Sequence, residues 1–279
     1  MSADARVAQA LDEARARGVA ALDARLMLGR LLGRTATQLI AHDDQRLGMA
    51  AARWADWLGR RAAGEPLAYL LGEKEFHGLM LEVTPAVLIP RPETELVVDW
   101  AGELLARSRG PAAVADLGTG SGAIALALKR AHPGVLVTAT DVSATALDVA
   151  RRNARRLGLE VDFIEASWWR GLEGRRFGVV VANPPYIREG DAALDALRHE
   201  PRSALTPGGD SLAALREIVA GAGTHMENGG SLLLEHGFDQ ADPVRGLLAS
   251  AGFEAIETRR DLAGHPRATG GRRPGGAPP

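Results

Sequence analysis

From Ala112 onward the chain alternates short apolar runs with helical stretches, and this alternation restricts the fold more than any other feature. Runs of strand length fall at 112–117, 136–141, 161–165, 178–182, 231–235 and 253–257. Helical stretches lie between them at 123–132, 144–157, 211–227 and 239–251. Strands separated by helices form a parallel sheet whose two faces the helices cover. The expected class is therefore α/β, with a doubly wound sheet.

Upstream the pattern differs. Residues 1–72 read as helical, with Leu22, Leu26, Leu28, Leu31 and Leu32 assigned to one stripe and Trp54, Trp57 and Leu58 to another. Gly18, Gly33 and Gly64 stand where these helices would stop. Such a segment is either a helical cap on the main domain or a recognition module for a macromolecular substrate. Glu75–His77 and Leu81–Val83 suggest a hairpin around Gly78. Prolines 85, 90 and 92 forbid helix and predict a stiff connector, so 73–110 is read as hairpin and connector. A catalytic domain is expected over 111–270, and the Gly/Pro-rich residues 271–279 are expected to be a disordered tail.

Composition narrows the chemistry. With no cysteine, disulfides, thiolate catalysis and cysteine-based zinc sites are excluded. No His, Asp and Glu set has metal-ligand spacing either. Thirty-three basic and thirty-five acidic residues give a net charge of −2, without the basic excess usual in proteins that grip phosphates. The first residues, MSADARVAQALDEARARG, lack the apolar core of a secretory signal. The uncharged run 117–128 is shorter than the roughly 20 residues that span a bilayer. A soluble, cytoplasmic protein with no membrane or direct nucleic-acid partner is expected.

Three motifs carry the chemistry. Residues 115–123 read ADLGTGSGA, between the first strand and a helix. Glycines there allow a sharp turn and a close backbone approach to a ligand at a helix N-terminus. Gly118, Gly120 and Ala123 also fit the dinucleotide fingerprint, and Asp141 follows at a suitable distance. Asp141 ends the second strand, where a carboxylate accepts hydrogen bonds from ribose hydroxyls in nicotinamide and adenosyl cofactors alike. Its alternative role as a helix cap is open to Ser143 instead.

The third motif separates these cofactors. Asn183-Pro184-Pro185-Tyr186 follows the fourth strand at the end of the sheet where open α/β folds bind ligands. Asn183 and Pro184 each precede a proline and are held extended, and neither proline offers an N–H. The loop thus presents the Asn183 side-chain oxygen and the Pro184 carbonyl as acceptors for a planar –NH2 group. Tyr186 supplies a ring to pack on it.

Taken together, LGTGSG, Asp141 and NPPY resemble class I methyltransferases that act on exocyclic or amide nitrogen. The longer stretches PLAYLLGEKEFHGLMLEVTPAVLIPRPETE, NPPYI, LLLEHG and RRDLAGHPRATGGR resemble the release-factor glutamine methyltransferases, the PrmC (HemK) family, from about residue 5 to 273. IPRPETE beside NPPYI is the most specific part of this match. The resemblance implies a helical N-terminal domain that recognises substrate and a Rossmann-like catalytic domain using S-adenosylmethionine. The implied substrate is the glutamine of the Gly-Gly-Gln motif in class 1 peptide chain release factors.

Carried onto this sequence, the resemblance has Gly118, Thr119, Gly120, Ser121 and Gly122 lining the cofactor and Asp141 on its ribose. Trp168 would lie near the adenine, and Asn183 would border cofactor and substrate. Asn183, Pro184, Pro185 and Tyr186 would hold the glutamine, with Asn183 and Pro184 acting directly on the reacting nitrogen. Ser167 stands where the family often has an acid, so an adenine amino contact would fall to Ser167 or a backbone carbonyl. Arg91, Glu93 and Glu95 border the connector without a catalytic role, and His236 is read as a structural hydrogen-bonder. A nucleic-acid amino-methyltransferase is the alternative, because similar loops act on flipped bases. A nicotinamide dehydrogenase would leave NPPY unused, and a silent adaptor would not need the full set.

Overall fold

The structure, a computed structural model, describes residues 2–108 and 112–275. It divides into two compact units, residues 1–73 and 74–279.

The first unit contains α1 (Val7–Ala16), α2 (Ala21–Leu32), α3 (Ala36–Ala41), α4 (Ala50–Ala62) and α5 (Leu67–Leu71). Trp54, Trp57 and Leu58 of α4 are buried in its core, in keeping with their spacing. The stripe on α2 differs from the leucine pattern: Leu22 is 64% and Leu26 42% exposed, while Ala24, Met27 and Leu28 are buried. Leu22 and Leu28 are six residues apart, about 240° around a helix of 3.6 residues per turn, so they cannot share a face. Ala24, Met27, Leu28 and Leu31 form the i, i+3, i+4, i+7 stripe that does.

The second unit begins within a hairpin, β1 (Glu73–Phe76) and β2 (Leu79–Glu82), one residue after the start of β1. The connector that follows is shorter than expected. A 3-10 turn begins at Pro92 and leads straight into α6 (Glu95–Ala106). Proline is excluded from a helix interior but favoured in the first turn, where its missing N–H has no intrahelical partner. The last of the three prolines therefore starts a helix.

The remaining elements are β3 (Ala113–Leu117), α7 (Ala123–Ala131), β4 (Leu136–Asp141), α8 (Ala144–Leu157), β5 (Asp162–Glu165), β6 (Phe177–Ala182), the single turns α9 (Ala193–Ala196) and α10 (Arg202–Leu205), α11 (Ala213–His225), β7 (Met226–Glu235), α12 (Ala241–Ser250), β8 (Glu254–Arg260) and β9 (Pro266–Arg272). The strands form one sheet in the order β5-β4-β3-β6-β7-β9-β8. The first five run parallel, and β9 is antiparallel to both β7 and β8. Strand order reverses between β3 and β6, which makes that junction the switch point of the sheet.

Alternate residues serve opposite faces. Val114, Val179, Val181 and Leu233 join α6 and α7 in one core, while Ala115, Val180, Leu232 and Leu234 join α11 and α12 in the other. Gly271 and Arg272, expected in the tail, are the last residues of β9, paired with Leu232 and Ser231. Glycine here serves packing: a Cβ on neighbouring Gly270 would stand 2.5 Å from Leu233 and 2.9 Å from the Trp100 ring. Residues 276–279 of that expected tail, and Pro111 at the expected start of the catalytic domain, lie outside the described residues.

Candidate active site

Strand register brings the motif residues together. Leu117 pairs with Thr140 on one side and Ala182 on the other, and Ala182 pairs in turn with Leu234. The next residue of each strand therefore lies along the carboxyl edge, giving the row Asp141, Gly118, Asn183, Glu235. A cavity of about 420 Å³ opens there, lined among others by Gly118, Gly120, Asp141, Trp168, Asn183 and Pro185. Its size lies within the roughly 300–1,000 Å³ of small-molecule sites.

Gly118 and Gly122 have φ of 77° and 84°, a backbone region that glycine enters freely. A Cβ on Gly118 would come within 3.1 Å of the Trp168 ring, and one on Gly120 would meet open space. Gly122 faces elsewhere, since its Cβ would press on Leu126 and Ala150. The side chains of Thr119 and Ser121 are likewise buried rather than turned to the cavity. Thr119 Oγ1 donates to Asp116 Oδ2 at 2.6 Å, and the Ser121 carbonyl accepts from Asn153. Of the five loop residues, Gly118 and Gly120 border the cavity and the other three shape the turn.

Asp141 accepts from the Gly120 N–H at 2.8 Å and the Ser143 N–H at 2.9 Å. Each carboxylate oxygen keeps a further lone pair. Ser143 caps α8 by accepting from the Ala146 N–H, which leaves Asp141 free of that duty. Burial raises the Asp141 pKa, and hydrogen bonds from Ser143 and Gly120 pull it back. Trp168 has φ of 50°, unusual for a bulky side chain. Its carbonyl accepts from Thr140 Oγ1 and its indole N–H donates to Glu217, which holds the ring over Gly118.

Asn183 borders a second, smaller cavity of about 130 Å³ together with Arg91, Tyr186 and Glu235. Tyr186 lies in this cavity and not in the larger one, and its hydroxyl donates to Glu235 at 3.3 Å. Burial pushes the Tyr186 pKa upward, and the nearby Glu235 adds to the shift. Asn183 Nδ2 donates to Thr94 Oγ1 at 3.1 Å. Arg91 forms an ion pair with buried Glu200. His236 is fully buried, with Nδ1 on the Gly237 carbonyl and Nε2 on Thr269 Oγ1, a structural arrangement.

Two buried acids escaped the sequence reading. Asp116 and Glu235 are 1% exposed, and each carries a carboxylate oxygen without a hydrogen-bond partner. Both stand within apolar strands at the carboxyl edge, a signal that could have marked them. Burial pushes each pKa up to about 7. A raised carboxyl pKa means that the folded state keeps a proton the unfolded chain releases. This stabilisation is complete below the unfolded value and is lost as pH rises through about 7. His236 is shifted down by burial and acts in the opposite sense, below about pH 6.5. Calorimetric melting temperature should therefore fall as pH rises from 6.5 to 8, and Asp116→Asn should flatten the slope. A melting temperature that rises across this range would contradict the assignment.

A parallel sheet with its cavity at the switch point, a glycine turn after β3, an acid after β4 and Asn-Pro-Pro-Tyr after β6 define a class I methyltransferase. Residues 95–237 match the Methyltransferase small domain and residues 5–72 the PrmC N-terminal domain. The chain is 51% identical to the release factor glutamine methyltransferase of Burkholderia pseudomallei over 96% of its own length and 97% of that protein's. It is 47% identical to that of Bordetella pertussis, covering 91% and 95%. The chain belongs to the release factor glutamine methyltransferase family, whose members are S-adenosylmethionine-dependent enzymes. The fold alone is shared with the 16S rRNA N2 G1207 methyltransferase of T. thermophilus, at 20% identity and TM-score 0.55 over 72% of this chain and 49% of that one.

Proposed function

We propose that this enzyme transfers a methyl group to the side-chain amide nitrogen of the glutamine in the Gly-Gly-Gln motif of class 1 release factors. The observation that carries this reading is Asn183, whose Nδ2 is engaged by Thr94 while the residue borders both cavities. With one of its two amide hydrogens held by Thr94 Oγ1, the side chain is oriented and its oxygen can receive an incoming amide N–H.

S-adenosylmethionine would supply an electrophilic methyl on a sulfonium. The large cavity suits it through the glycine walls at 118 and 120 and the open lone pairs of Asp141 for ribose hydroxyls. Trp168 offers an adenine-sized face, and Ser167 lies in the same wall. An amide nitrogen is a weak nucleophile because its lone pair is delocalised, so the protein acts mainly by alignment. Holding the nitrogen about 3 Å from the methyl, in line with the breaking bond, contributes roughly 7–11 kcal/mol in effective-molarity terms. Asn183 Oδ1 and the Pro184 carbonyl accept its N–H groups and stabilise charge growing on nitrogen. Pro185 stiffens the loop, and Tyr186 packs on the amide. Residues 1–72 recognise the release factor, a reading supported by the match to the PrmC N-terminal domain. No helix among the described residues is long and apolar enough to cross a membrane, which suits a cytoplasmic enzyme.

Labelled methyl transfer to purified release factor, with DNA and RNA as parallel acceptors, tests this function. Label should enter the release factor alone and vanish when the acceptor Gln is replaced by Glu, which has no –NH2. Label on a Gln-free motif, or on nucleic acid in preference, would overturn the reading in favour of base methylation.

A further inference from the structure

Glu235 has no part in the chemistry above, yet it lines the smaller cavity. It follows Leu233 by two residues and so continues the sheet face that α6 covers. Thr94, immediately before α6, is buried on the same side. Register sets Glu235 beside Asn183, because Ala182 pairs with Leu234. The Tyr186 hydroxyl donates to Glu235 Oε1 at 3.3 Å; Thr94 Oγ1 accepts from Asn183 and makes no hydrogen bond of ordinary geometry to Glu235, but it is near enough to lower the Glu235 pKa. Oε2 has no partner of ordinary hydrogen-bond geometry.

We propose that Glu235 is a positioning residue for the acceptor loop: its carboxylate draws the Thr94 and Tyr186 hydroxyl protons toward itself and thereby keeps the Asn183 oxygen turned to the target amide. The proposal rests on the reading of Asn183 as the amide acceptor. A hydroxyl has one hydrogen and two lone pairs. If Glu235 as a carboxylate takes the Thr94 hydrogen, Thr94 Oγ1 can only accept from Asn183. The Asn183 amide must then offer Nδ2 to Thr94, as observed at 3.1 Å, and leave Oδ1 for substrate. A neutral group at 235 can donate to Thr94 instead. The Thr94 hydrogen is then free to meet Asn183 Oδ1, and the amide can flip to present –NH2 to the substrate's own –NH2.

The charge state of Glu235 is thus linked to the loop. Burial raises its pKa to about 7, Glu93 adds to the rise, and Thr94, Arg267 and Tyr186 oppose it. Arg91, which borders the same cavity, is held by Glu200. Protonation removes the acceptor, so methyl transfer slows as pH falls through about 7.

The test compares Glu235→Gln, Thr94→Val and Thr94→Ser in methyl transfer from pH 6 to 8, with S-adenosylmethionine affinity as the folding control. Glu235→Gln and Thr94→Val should lose about tenfold to a hundredfold in kcat. Their cofactor affinity should be unchanged, and Thr94→Ser should restore the rate. The acidic limb near pH 7 should disappear in Glu235→Gln. The two losses should not add in the double variant, since both break one chain. A Glu235→Gln enzyme with wild-type kcat and an unshifted acidic limb would overturn the proposal, even where Asn183→Ala is inactive. Additive losses would do the same. A fully active Asn183→Ala would instead remove the loop reading, and this proposal with it.

Discussion

Asn183→Ala should slow methyl transfer by about 10²–10³-fold, the usual effect of losing one preorganised contact to a reacting centre. Affinity for S-adenosylmethionine should stay close to wild type. The reason is local: the residue stands at the carboxyl edge of β6 on the wall of both cavities, and one of its amide N–H groups is held by Thr94. Removing it takes an acceptor from the amide but leaves Asp141 and the glycine turn intact. Asn183→Asp is a sharper probe. It keeps an acceptor, loses the N–H that meets Thr94, and adds charge beside the sulfonium, so it should also be impaired. On the substrate side, replacing the target Gln by Asn should be nearly as damaging as replacing it by Glu. The shorter arm withdraws the nitrogen by about one methylene from in-line geometry, and misplacements near 1 Å can cost 10²-fold. Single-turnover rates with mass spectrometry of the product would decide, and a wild-type rate from Asn183→Ala would remove the loop from the chemistry.

The second large effect is expected on the cofactor. Asp141→Ala should weaken S-adenosylmethionine binding by about 1–3 kcal/mol, the range for hydrogen bonds to a charged group, or about 5- to 150-fold in Kd. Part of that loss would come from the loop itself, because the carboxylate also receives the Gly120 and Ser143 N–H groups. Asp141→Asn separates the contributions. It keeps the size and one acceptor, so it should fall between wild type and Ala. Titration calorimetry showing wild-type affinity for Asp141→Ala would exclude this residue from ribose binding.

Much of this was legible in order along the chain. The apolar runs placed β3, β4, β6 and the parallel half of β7, because a strand buried on both faces must be apolar at successive positions. The glycine turn, Asp141 and Asn-Pro-Pro-Tyr were legible because each is a local device whose residue types are dictated by backbone geometry or proton supply. Two local features depart from the pattern: the buried face of α2 runs through Ala24 and Met27 and not through Leu22 and Leu26, and Pro92 stands at a helix start, where the bar on interior proline does not apply.

Tertiary structure decided what depends on register. Nothing in the sequence separates loop residues that line the cavity, Gly118 and Gly120, from those that brace the turn, Thr119, Ser121 and Gly122. That sorting follows from how α7 and α8 pack against the turn. The last strand was likewise invisible, since PRATGGR lacks apolar alternation and its glycines reflect the approach of Trp100 and Leu233. Glu235 is the clearest case. It is one acid at the end of an apolar run, and it acquires a place in the site only because Ala182 pairs with Leu234 and α6 begins at Thr94's side. Local chemistry is written residue by residue, but which strand ends are neighbours is settled by the sheet.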